Sequence, residues 1–235
     1  MKRSALMMAV AVCLLIFSGC GGTVDITPIR EAVANAPEQA HGSFTANIRF
    51  GDELATLLFS MGSFDADYEK NTLSAEMTRT VLASAAKVEL EYDGTTCTTI
   101  IDGEEHTGEM SPEALFDSLL YARPAVPDEG SRISASLSAD GLYTVKCKNP
   151  DSNALFSLLG DDIYSIAYIN VPRKDKMYCE DAVFTYRIKD GAISDYSLAF
   201  TAHLFDTPPY VPGKDVDESG YELGLFVEFN VSYRY

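Results

Sequence analysis

Tryptophan is absent from this chain of 235 residues, histidine occurs three times, and 18 basic side chains face 35 acidic ones. The charge balance excludes a nucleic-acid partner, because phosphates repel an acidic surface. It equally disfavours adsorption onto anionic lipid headgroups. The scarcity of imidazole leaves only His41, His106 and His203 as general bases of that type. All three read as exposed or strand-face residues, so no catalytic residue is assigned. The sequence also lacks G-x-S-x-G, H-E-x-x-H and a phosphate-cradling glycine loop. Its one S-x-x-K, Ser84-Ala85-Ala86-Lys87, leads into an alternating strand with no K-T-G or S-D-N after it, and is read as chance. No C-x-x-C or Cys/His spacing points to a metal, and no cofactor is expected. Two acidic clusters, Asp102, Glu104 and Glu105 and then Asp215, Asp217 and Glu218, offer oxygen ligands but follow no calcium-loop pattern. They are read as solvated loops, the second inside the long segment Thr207 to Gly220, whose length would suit a lid or partner contact.

What is present begins with MKRSALMMAVAVCLLIFSGCGG, a basic start, an apolar run from Ala5 to Phe17 and small residues after it. That run is too short to span a bilayer and reads as an export signal. Ile16-Phe17-Ser18-Gly19-Cys20 resembles the lipobox of bacterial lipoproteins, in which the cysteine takes a diacylglycerol and becomes the first residue. The resemblance implies a signal over residues 1–19, lipidation at Cys20, a tether over 20–25 and one domain over 26–235. The expected location is the outer face of the bacterial cytoplasmic membrane, or the outer membrane of a two-membrane cell. Loss of Lys2 and Arg3 leaves 16 basic against 35 acidic side chains, a formal charge of −19. Lipid, not surface charge, must then hold the protein at the membrane. With Cys13 removed and Cys20 acylated, Cys97, Cys147 and Cys179 remain. One disulfide among them and three buried free thiols both stay open.

Three helices are expected. Thr27-Pro28-Ile29 and Ser111-Pro112-Glu113 each carry a cap followed by proline, with stops at Pro37 and Pro124, and a third runs from Asp151 to Gly160. The rest alternates with the period of strands, most clearly at Phe44, Ala46, Ile48 and Phe50 and over Leu223 to Tyr235. Strands of that length predict a large curved sheet. Asp-Gly at 93–94, 102–103, 140–141 and 190–191 supplies the positive φ angles of hairpin turns, so the strands form an antiparallel meander. A two-residue loop at Asp93-Gly94 would set Leu90 opposite Cys97. Three-residue loops would set Leu137 against Tyr143, and Phe184 against Tyr196.

The fold class is therefore α+β, a large, mainly antiparallel sheet with about three helices. Together with the lipid anchor, the strand start Gly42-Ser43-Phe44, the hairpin Phe184 to Leu204 and the long last strand, it resembles the LolA/LppX-like lipoproteins. That resemblance implies a half-open β-barrel whose helices cover or plug a concave apolar face. The expected function is non-enzymatic binding of a hydrophobic ligand, lipid among the candidates, on Phe44, Ile48, Phe50, Leu198, Phe200, Leu225, Val227 and Phe229. The alternative is an envelope protein-interaction or sensing module with a filled core.

Overall fold

The computed structural model describes residues 24–51, 55–119, 121–127, 132–159, 162–170, 172–207 and 221–235. Helix α1 (Thr27–Ala34) starts where Asp25 accepts hydrogen bonds from the Thr27 backbone N–H and hydroxyl, at 2.9 and 2.7 Å. The N-cap position is thus Ile26, one residue before the expected Thr27, with no side-chain cap of its own, and Thr27 and Pro28 open the helix. A first meander follows, made of β1 (Gln39–Phe50), β2 (Thr56–Asp67), β3 (Thr72–Val81), β4 (Ser84–Tyr92), β5 (Thr96–Ile101) and β6 (Glu104–Glu109). After it come helix α2 (Pro112–Ser118), the hairpin β7 (Ile133–Leu137) and β8 (Leu142–Cys147), and helices α3 (Ser152–Ser157) and α4 (Asp162–Ile166). The chain closes with β9 (Tyr178–Lys189), β10 (Ala192–Asp206) and β11 (Tyr221–Arg234).

All eleven strands form one sheet, in the order β6-β5-β4-β3-β2-β1-β11-β10-β9-β8-β7, and every pairing is antiparallel. The sheet is not closed, so β6 and β7 are its edges. Two meanders join back to back through β1 and β11, where Phe44 lies opposite Val231 and Ile48 opposite Val227. Each strand's period of two then sorts side chains onto one apolar and one polar face. The apolar face carries the core, including Phe64, Tyr186, Tyr196, Leu198, Phe200 and Leu225, all buried.

All four Asp-Gly pairs mark hairpin bends. At Asp140-Gly141 the three-residue loop forms as expected, with Gly141 at φ +82° and Leu137 opposite Tyr143. Two registers differ. Asp93 accepts hydrogen bonds from the backbone of Thr95 and Thr96 at 3.0 and 2.8 Å, which winds the turn over four residues and sets Leu90 opposite Thr99 instead of Cys97. A slip of two residues preserves the faces, so the apolar row survives. At Asp190-Gly191 both residues take positive φ, +52° and +83°, in a two-residue turn that pairs Ala192 with Lys189. Such a turn alone would mix the faces. A bulge between Ile193 and Asp195 absorbs one residue and sets Phe184 opposite Leu198, not Tyr196.

The helices also differ from expectation. Helix α2 ends at Ser118, short of Pro124, and α4 is a fourth helix that the sequence reading lacked. Helix α2 has the expected cap, Ser111 accepting from Ala114 N–H at 3.2 Å, and α3 is capped by Asp151, which accepts from Asn153 N–H at 2.9 Å. Buried Ile29 and Ala32 turn α1 onto β9 and β10. The crossover from β6 toward β7 is held on the apolar face by tyrosine hydroxyls rising from the sheet. Tyr92 donates to the Met110 carbonyl at 2.9 Å, Tyr186 to Ala125 at 2.6 Å, and Tyr68, in the β2–β3 turn, to Ala122. The crossover therefore lies along the face instead of leaving it. No helix among the described residues is long and apolar enough to cross a membrane.

Candidate functional site

The register brings the eight expected ligand residues to one face of three adjacent strands. Ile48, Val227 and Phe200 stand in one row across β1, β11 and β10; Phe50 pairs with Leu225, and Phe229 with Leu198. Their surroundings divide them. Leu198, Phe200, Leu225 and Val227 are fully buried in the packed core, whose β9–β10 side lies under α1. Phe50 is half-buried at the end of β1. Phe44, Ile48 and Phe229 line a cavity of about 330 Å³.

That cavity has a sheet floor and a roof of irregular chain. The floor adds Ala46, Leu58, Met77, Leu90 and Val231, while Leu119 and Tyr121 follow α2, Ser157 ends α3, and Leu158 and Leu159 follow it. Tyr121 stacks on Phe44 with ring centres 4.1 Å apart and planes 8° from parallel, and it meets Phe64 at 5.4 Å. Burial pushes the Tyr121 phenol well above its ordinary pKa, so it stays a neutral hydroxyl. The hydroxyl has no hydrogen-bond partner among the described residues. A second cavity, of about 450 Å³ between α1, α3 and the crossover, shares Ser157 and Leu158 with the first.

Tyr121, Leu158 and Arg79 were not among the expected site residues. Arg79 lines the cavity beside buried Ser60, its cross-strand partner, and carries the only charge in the lining among the described residues. Its signal was legible: Leu73, Ala75, Met77 and Val81 occupy alternate positions of β3, and Arg79 interrupts that apolar row. Tyr121 and Leu158 had no local signal, because their place depends on where the crossover and α3 lie over the sheet.

The polar face carries two further pockets, of about 520 Å³ beside Ser43, Thr45, Ser63 and Asn230 and of about 460 Å³ beside His41, Asp65 and Asp67. His41 pairs with Asp65 in an exposed contact, and His203 sits between Glu222 and Glu180 at 2.7 and 3.0 Å, stacked on Tyr178. Those carboxylates occupy both ring nitrogens. His106 is exposed on edge strand β6. Ser84 and Lys87 lie three apart on a strand, hence on opposite faces, where a helix would have brought them together. No group of three or more His, Cys, Asp or Glu among the described residues is arranged to hold a metal. Cys97, Cys147 and Cys179 are free thiols, the last two buried, and burial pushes Cys179 up to about 12. Cys20 and the cluster Asp215, Asp217 and Glu218 lie outside the described residues.

A scan against protein-family models and a search of the curated proteins found no match to this chain.

Proposed function

We propose that this chain is an extracytoplasmic lipoprotein, tethered through Cys20, that holds a hydrophobic ligand between its sheet and the segments above it and catalyses no reaction. The observation carrying the proposal is the 330 Å³ cavity lined by Phe44, Ile48 and Phe229. Its size falls within the range of small-molecule sites, and its lining is mainly apolar with a few polar groups, as such sites are. A half-open barrel of the LolA/LppX-like kind, with chain lying over a concave face, is the architecture this reading favours.

The tether has a geometric consequence. The Val24 N–H lies 3.5 Å from the carbonyl of Ala135 on edge strand β7. Val24 stands four residue steps after Cys20, a reach of at most about 14 Å. An acylated Cys20 therefore holds the β7 edge close to the bilayer. Incorporation of labelled palmitate in intact bacteria tests this, with label expected on the native chain and none on Cys20→Ser.

The ligand itself is tested by thermal unfolding with and without extracted envelope lipids. A ligand at about a hundred times its Kd adds about 2.7 kcal/mol, which raises the midpoint. An unchanged midpoint with every lipid class turns the reading toward the interaction module. The filled half of the core, Leu198, Phe200, Leu225 and Val227, is what favours that second reading.

A further inference from the structure

We infer that the β7 edge of the sheet, with Arg132, Lys146 and Lys148 beside it, is a docking surface for a lipid bilayer that carries anionic headgroups. The inference rests on the Cys20 tether and adds to it the face that the domain turns to the membrane. Net charge alone argues against such contact, but the charge is unevenly placed. Residues 132–189 carry 8 of the 16 basic side chains that follow Cys20 and only 7 of the 35 acidic ones. The two edges of the sheet differ accordingly. Edge strand β6 is exposed throughout and shows Glu104, Glu105 and Glu109, which anionic headgroups repel. At the opposite edge Lys146 and Lys148 alternate with buried Val145 and Cys147, and the Lys148 N–H donates to the Arg132 carbonyl at 3.2 Å. The period of two therefore sets all three cations on the polar face of the β7–β8 hairpin. Arg187, also at this end, is held by Asp140 and Asp195 at 3.2 and 3.8 Å. Arg132, Lys146 and Lys148 are exposed, and among the described residues no carboxylate is paired with them.

Position relative to the tether selects the partner. The Val24 N–H reaches the Ala135 carbonyl, and Ala135 lies opposite Val145, next to Lys146. A lipid on Cys20 thus brings the three cations within reach of headgroups before any charge acts. Attraction to a charged surface extends only about 8 Å at physiological salt, so the edge beside the tether feels it and the acidic remainder of the domain does not. Each Lys or Arg close to an anionic surface favours the bound state about fivefold, and three together about a hundredfold. Leu137, 47 % exposed at the same edge, adds an apolar side chain to the contact.

The test places the full lipidated chain on nanodiscs of phosphatidylcholine, with or without about 30 % phosphatidylglycerol, each holding a trace of phosphatidylethanolamine with a diazirine on its headgroup. Peptides crosslinked by light are mapped by mass spectrometry. Those carrying Leu137, Lys146 or Lys148 are expected to label about tenfold more on the anionic discs than on the neutral ones, and the gain to vanish at about 1 M salt. Peptides from Glu104 to Glu109 should stay at background on both. In the double variant Lys146→Glu/Lys148→Glu the gain should disappear while the melting midpoint and the attachment through Cys20 are unchanged. Equal labelling of the native chain on the two discs, or a gain that survives in the double variant, overturns the docking surface and leaves the tether standing. A chain that carries no acyl mass on Cys20 and elutes apart from both discs overturns the tether reading on which the surface rests.

Discussion

Replacing Ala46 by leucine adds three carbon atoms to the floor of the cavity, and the sign of its effect depends on whether that space is available. Ala46 is buried, lies between Phe229 and Ser60 on neighbouring strands, and lines the cavity. Three more buried carbons contribute about 2.4 kcal/mol at about 0.8 kcal/mol each. Fixing the leucine rotamer takes back about 0.5–1 kcal/mol. The variant should be more stable by about 1.5–2 kcal/mol, a rise of roughly 0.5–1 M in the urea midpoint at unchanged slope. Ala202→Leu is the control, because Ala202 is fully buried between Leu225 and Cys179 in the packed half. There the same atoms should cost about 1–3 kcal/mol by overpacking. If Ala46→Leu destabilises as much as Ala202→Leu, the space beside Ala46 is not available and the site assignment is wrong.

Three further outcomes follow from named contacts. Burial raises the phenols of Tyr121, Tyr186, Tyr196 and Tyr233, and pushes Tyr235 up to about 12. Their folded pKa values exceed the unfolded value near 10, so the stability they confer is complete below about pH 10 and lost as pH rises toward 12 and above. Each ring at least nine-tenths buried removes up to about 1.4 kcal/mol per pH unit, and absorbance titration should show their ionisation only together with unfolding. A clean tyrosine titration at pH 10 in the folded protein would contradict that burial. Native-state alkylation should modify half-buried Cys97 first and spare Cys147 and Cys179 until urea is added, as mass mapping would show. A Cβ at Gly62 would stand 2.3 Å from the Glu76 carbonyl oxygen and 2.7 Å from Met77 Cβ. Gly62→Ala should therefore cost about 1–3 kcal/mol, and an unchanged melting midpoint would mean that β2 and β3 separate easily.

Local features were legible in the sequence and long-range ones were not. Ser111 announced its helix because a capping oxygen acts on the next few residues. The loop at Asp140-Gly141 could be chosen because only one length kept Leu137, Ala135 and Ile133 on the face of Tyr143, Val145 and Cys147. The same reasoning failed at Asp190-Gly191, where the bulge near Ser194 restores the apolar faces after a tighter turn. No local rule counts such an extra residue in advance. The joining of β1 to β11 connects residues nearly the whole chain apart, and alternation alone does not select that partner. The apolar floor at Phe44, Ile48 and Phe229 was legible as alternation, while its roof depended on hydroxyls such as Tyr186 holding the crossover.

The central claim is that an apolar molecule occupies this cavity, and mass spectrometry tests it most directly. Every described strand and helix lies after residue 23, so a chain from Gly21 to Tyr235, exported by a bacterial host, carries all of them. After a melting curve has verified its fold, its mass is taken under native and then denaturing conditions. The account predicts a stoichiometric adduct of an apolar ligand that is released on unfolding and reduced in Ala46→Leu. A bare polypeptide mass, persisting after incubation with envelope lipids, would contradict it.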